Sequence, residues 1–76
     1  MYKNLDNVIN IVSKVTKISK DNLDYKSEAS SFAKWDSIAQ IELVMELEKK
    51  FNKEISSDYF EKLNSISAIC QYLEDN

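Results

Sequence analysis

Few side chains in this sequence can do chemistry, and their types narrow it quickly. There is no His, no Arg and a single Cys, Cys70. A Ser-His-Asp constellation cannot form without His, and one Cys cannot supply a conventional zinc site. No D-x-D-x-D-G stretch supports a calcium loop. The residue that stands out is Ser37, preceded by Asp36 and followed by Ile38, at the head of WDSIAQIELVMELEKKF. With neither a base nor a G-x-S-x-G elbow to activate it, Ser37 cannot serve as a hydrolase nucleophile. At a helix start, a serine is ordinarily a cap. As a hydroxyl modified by another enzyme, it is well placed: a phosphate ester there would lie at the positive end of a helix dipole.

The element that must present Ser37 is a helix running from Ser37 to about Asn52. Asp36 suits its N-cap, and Ser37 with Gln40 also fits an S-x-x-Q capping box. At 3.6 residues per turn, Leu43, Val44, Leu47 and Phe51 share one face, the face of a core. Ile38, Ile41 and Met45 lie roughly half a turn away, with Glu42 among them and Glu46 and Glu48 at the margins. A small domain needs one apolar stripe per helix, so the second is free to meet a partner or to lie under the long loop. Glu46 is spaced to pair with Lys49 or Lys50.

Around this helix, Leu5, Val8, Ile9, Val12 and Val15 predict a first amphipathic helix from about Lys3 to Ile18, widened by Ile11 and Ile18. Periodicity then disappears from Ser19 to Lys34. A loop of that length needs anchoring or a function, and Leu23, Tyr25 and Phe32 are the side chains that can pin it. Ser57 and Asp58 open a short helix of one or two turns with Tyr59, Phe60 and Leu63. Ser65 caps a last helix in which Ile66, Ile69, Cys70 and Leu73 share a face. Trp35 is expected to pack under the loop, and Cys70 to be a small core residue.

The chain of 76 residues lacks both Gly and Pro, so tight hairpins lose their usual residues and an all-α fold is favoured. The expected architecture is a small bundle of three main helices plus one short helix, with a long first loop, forming a single domain over residues 1–76. A net charge of −3 without a basic stripe argues against nucleic acid and suits basic partner proteins, although solubility alone also favours modest acidity. The lone Cys fits a reducing compartment, and no apolar run reaches membrane-span length, so a cytoplasmic location is expected.

Asp36-Ser37-Ile38, followed by Ile41-Glu42-Leu43-Val44-Met45 and Leu47-Glu48-x-x-Phe51, resembles the second helix of acyl carrier proteins. The likeness extends over essentially the whole chain, through the long loop, the short third helix and the final helix. The resemblance implies that Ser37 is the attachment point for 4′-phosphopantetheine, delivered from coenzyme A by a phosphopantetheinyl transferase. It implies a thioester-bound acyl group shuttled between enzymes by a protein that is not itself an enzyme. It also implies that Asp36 assists the transferase through its magnesium ion. Ile38, Ile41, Glu42, Met45 and Glu48 would then form the surface read by acyl- or aminoacyl-loading ligases and by downstream synthases and transferases. A monomer is expected. Lys34 stands where many fatty-acid carriers have Gly, Ile38 where they have Leu, and the segment after Ile55 lacks the frequent Pro. The form Trp35-Asp36-Ser37 looks more like free-standing carriers of specialised pathways. An aminoacyl carrier of peptidyl or D-alanyl type, or an unmodified helical adaptor binding through the Ile38–Met45 stripe, are the competing readings.

Overall fold

Three α-helices carry the structure: α1 (Leu5–Thr16), α2 (Ser37–Phe51) and α3 (Ile66–Asp75). Single 3₁₀ turns at Lys20–Asn22, Ala29–Ser31 and Ser57–Tyr59 punctuate the connections. The computed structural model describes residues 4–75, and among these the only extended pairing is one bridge between Glu28 and Ser65. The all-α bundle expected from the sequence is the fold, with its short third helix reduced to one 3₁₀ turn.

α1 packs against both α2 and α3. Its buried residues are Val8, Ile11, Val12 and Thr16, while Leu5, Ile9 and Val15 are half-buried. The stripe is therefore centred closer to Ile11 than its spacing indicates. The helix also ends before the expected Ile18, and the expected start at Lys3 lies outside the described residues. The early stop is a local hydrogen-bond effect. The Thr16 hydroxyl donates to the Val12 carbonyl at 2.6 Å and accepts from the Ile18 amide at 3.2 Å. Lys17 turns into the left-handed region, φ 68°, and donates its N–H to the Ser13 carbonyl. This reversal returns Ile18 to the core, where the Ser13 hydroxyl holds its carbonyl at 2.6 Å.

Residues 17–36 form the long connection, and the three side chains expected to pin it do so. Leu23 is buried, and Tyr25 and Phe32 pack half-buried against the core. Backbone bonds add a fourth anchor. Ala29 donates to the Asn64 carbonyl at 2.8 Å, and Ile66 donates to the Ser27 carbonyl at 2.9 Å, so the loop is tied to the start of α3. There Ser65 caps the helix by accepting from the Ala68 amide at 3.1 Å.

The core joins Val8 and Val12 of α1, Leu43, Val44 and Leu47 of α2, and Ile66, Ile69, Cys70 and Leu73 of α3. Trp35 and Leu63 close it near the start of α2. Phe51 sits at its rim rather than inside it, half-buried. Leu47→Ala should therefore cost about 2–5 kcal/mol in denaturant unfolding, and Phe51→Ala about 2 kcal/mol, less than a fully enclosed ring. Because Lys17 occupies a conformation that penalises a Cβ, Lys17→Gly should raise stability by about 0.5–1 kcal/mol in the same measurement.

Candidate functional site

α2 begins where Asp36 takes an extended conformation and its Oδ1 accepts from the Ala39 amide at 2.9 Å. That bond satisfies one of the orphan N–H groups of the first turn. Ser37, the first residue of the helix, is exposed, and its hydroxyl makes no hydrogen bond among the described residues. The Ser37–Gln40 capping box does not form, because the cap position belongs to Asp36 and places Ala39 where the box needs Gln or Glu.

Gln40 is used differently. Its Oε1 accepts from the Trp35 indole Nε1 at 2.7 Å, and its Nε2 donates to the Phe60 and Leu63 carbonyls, each at 2.7 Å. One amide thus joins the residue before the cap, the helix and the segment after the Ser57–Tyr59 turn. Trp35 is 3% exposed, as expected of a packing residue, and its indole has the partner that a buried N–H requires. The sequence reading missed Gln40. Its only signal was an amide between the two apolar stripes, and the capping-box pattern explained that away.

An open groove of about 650 Å³ runs beside Ser37. Trp35, Gln40, Ile41 and Phe60 line it, with Asp36 and Glu61 among its polar residues. The volume falls within the range of small-molecule sites. Beyond it, the second stripe of α2 is on the surface: Ile38 is 71% exposed, Met45 55% and Ile41 49%. The long loop does not cover them. Glu42, exposed among them, makes no ion pair with the described residues.

The other two α2 carboxylates are engaged within the chain. Glu48 is half-buried and its Oε2 accepts from the Ile55 amide at 2.9 Å, while its carbonyl accepts from the Asn52 and Lys53 amides. Glu46 pairs with Lys14 of α1 at 3.1 Å and reaches Lys49 at 4.0 Å. The Lys14 hydrogen bond and charge hold the Glu46 carboxyl below its ordinary range. Being exposed, the pair orients side chains more than it stabilises the fold.

Comparison with known proteins bears on this geometry. The model of a family described as "Phosphopantetheine attachment site" matches residues 6–73. The chain belongs to that family. Membership of the phosphopantetheine-attachment family supports, at the level of the family, a carrier role rather than a catalytic one. It is also similar to the acyl carrier protein of Helicobacter pylori strain J99, 44% identical over 41 residues, which cover 54% of this chain and 53% of that protein. The acyl carrier protein of Wolinella succinogenes gives 44% identity over 41 residues, 54% of each chain. Each match spans about half the length of the relative. No helix among the described residues is long and apolar enough to cross a membrane.

A family whose chemistry runs through a thiol makes the state of Cys70 relevant. Its side chain is fully buried on α3, and burial, followed by the Glu74 charge, pushes its thiol above the ordinary range. The neutral thiol is the form the fold accommodates, so this contribution to stability is lost as pH rises through the raised pKa. Iodoacetamide should leave Cys70 unmodified in the native protein at mildly alkaline pH and alkylate it promptly in denaturant, as read by intact mass. Prompt native alkylation would contradict the packing of α3.

Proposed function

We propose that the chain carries acyl groups as thioesters on a 4′-phosphopantetheine arm attached to the Ser37 hydroxyl. The observation that carries this reading is the division of labour at the start of α2. Asp36 satisfies the helix amide, leaving the next hydroxyl exposed, without a partner among the described residues, at the positive end of a 15-residue helix and beside a groove. The site fits the group in charge as well as access, since a phosphodiester on Ser37 would be favoured by the first-turn amides. When attached, the arm supplies the terminal thiol that holds the acyl group. Asp36 has a second carboxylate oxygen, Oδ2, with no hydrogen bond among the described residues, and it is the group that would assist the transferase's magnesium ion.

Ile38, Ile41 and Met45 form the apolar part of the surface that partner enzymes read, and Glu42 supplies its charge. Glu48 contributes less, since one of its oxygens is committed to Ile55. Loading ligases and downstream synthases or transferases with basic rims around apolar patches fit this surface. The contacts are few and exposed, which suits fast release after each step. The relatives named acyl carrier proteins favour an acyl over an aminoacyl cargo.

Incubation with coenzyme A, magnesium and a broad-specificity phosphopantetheinyl transferase should add one phosphopantetheinyl group by intact mass. Ser37→Ala should abolish the gain while shifting stability by no more than about 0.5 kcal/mol, since the cap resides on Asp36. A modified Ser37→Ala protein would refute the site, and a folded wild-type protein that gains no mass would favour the unmodified adaptor.

A further inference from the structure

The floor of the groove beside Ser37 is a polar crosslink. Gln40 uses both amide hydrogens on the Phe60 and Leu63 carbonyls and its oxygen on the Trp35 indole, all at 2.7 Å. Trp35 is itself buried, and its backbone N–H donates to the Phe32 carbonyl at 3.1 Å. The core of the bundle includes Leu43, Leu47, Ile66 and Ile69, all fully or almost fully buried, and no buried side-chain polar atom among the described residues lacks a partner. A long apolar chain entering the bundle from the groove would have to part α2 from the segment carrying Phe60 and Leu63. That motion breaks three part-buried hydrogen bonds at once, to two carbonyls and an indole N–H, and each must be made up elsewhere. The groove itself is open to solvent, with Ile41 and Phe60 among its lining beside Asp36, Glu61 and Asn64. A long alkyl chain lying in it stays partly in water.

We propose that Gln40 is the specificity-determining residue that keeps the cargo out of the bundle, so that this carrier suits short acyl groups held in the open groove. This inference rests on the carrier reading of Ser37. A cargo outside the bundle keeps its thioester exposed, whatever the length of its chain. A cargo drawn inside gains apolar burial with each methylene, and sheltering two of them would slow attack on the thioester by about tenfold.

The test loads the full chain directly from butyryl-, octanoyl- and dodecanoyl-coenzyme A with a broad-specificity phosphopantetheinyl transferase. Thioester cleavage by hydroxylamine is then followed by intact mass, relative to the same acyl-pantetheine free in solution. The expected result is a relative rate that stays flat across the three chain lengths. Progressive protection with chain length in the wild-type protein would overturn the proposal. Gln40→Met, which preserves side-chain length but removes all three hydrogen bonds, should introduce that protection. A folded Gln40→Met protein with a flat series would overturn the role given to Gln40. Should this variant fail to fold, Gln40→Glu, which keeps an acceptor for the Trp35 indole but loses both donors to Phe60 and Leu63, takes its place in the same series and is read the same way. Failure of the carrier reading is recognised separately, as the absence of any mass gain from any of the coenzyme A thioesters, and it would overturn both.

Discussion

The position of one helix start governs this molecule. Trp35 is locked into the core by packing and by its indole bond to Gln40, and Asp36 immediately follows with its carboxylate on the Ala39 amide. Between them these two residues leave α2 no freedom to begin one position earlier or later. A slip of one residue would rotate the helix by about 100°, since each turn takes 3.6 residues. Leu43, Val44 and Leu47 would leave the core, and Ser37 would become the cap, with its hydroxyl spent on a backbone amide. The same constraint that seats the core therefore leaves the Ser37 hydroxyl available.

α2 is consequently two-sided, and the two sides answer to different requirements. The inner stripe is buried in the core, against α1, and supplies cohesion. The outer stripe, Ile38, Ile41 and Met45, contributes nothing to the core and leaves apolar surface in water. Scattered apolar residues are common on protein surfaces, but three on one helix face, adjoining a groove, form a patch. Charge is distributed unevenly along the same helix. Glu46 is neutralised by Lys14 and Lys49, and Glu48 is drawn into the turn that ends the helix, leaving Glu42 as the carboxylate free to meet a basic partner.

Sequence pattern disclosed the parts of the fold that repeat. Helix spacing identified the buried residues of α3 and, with Ala39 missed and Phe51 only half-buried, most of those of α2, and the polar stretch from Ser19 to Lys34 marked the loop together with its pins. Other features depended on competition that periodicity does not report. Thr16 and Ser13 bond to nearby carbonyls and end α1 early, and Lys17 adopts a left-handed turn that a Gly would have advertised. Phe51 has the spacing of a core residue but lies too near the helix end to be enclosed. Glu48 looked like a surface carboxylate because its partner, the Ile55 amide, becomes a neighbour only after the chain turns at Asn52. Gln40 was illegible for the same reason: its partners, Phe60 and Leu63, are brought to it by the tertiary fold. At the candidate site, Asp36, Ser37 and the exposed stripe were readable as local sequence, whereas the groove and its crosslinked floor were not.

The thioester chemistry proposed for Ser37 would raise one further chemical problem, and α3 addresses it. Any accessible cysteine thiolate on the same chain could attack the thioester carbonyl and take the acyl group, expelling the arm's thiolate. Reactivity requires the thiolate, and thiolate formation requires water or a nearby positive charge. Cys70 has neither: it is fully buried, and the charge felt there is that of Glu74, which opposes ionisation. Attack by Cys70 would demand local unfolding of α3, which also carries Ile66, Ile69 and Leu73 into the core. The same residues that hold the bundle together thus separate the structural thiol from the chemistry proposed at Ser37, at the opposite end of the functional logic from the exposed hydroxyl. Burial suppresses one nucleophile, and a helix cap on the neighbouring residue keeps the other available.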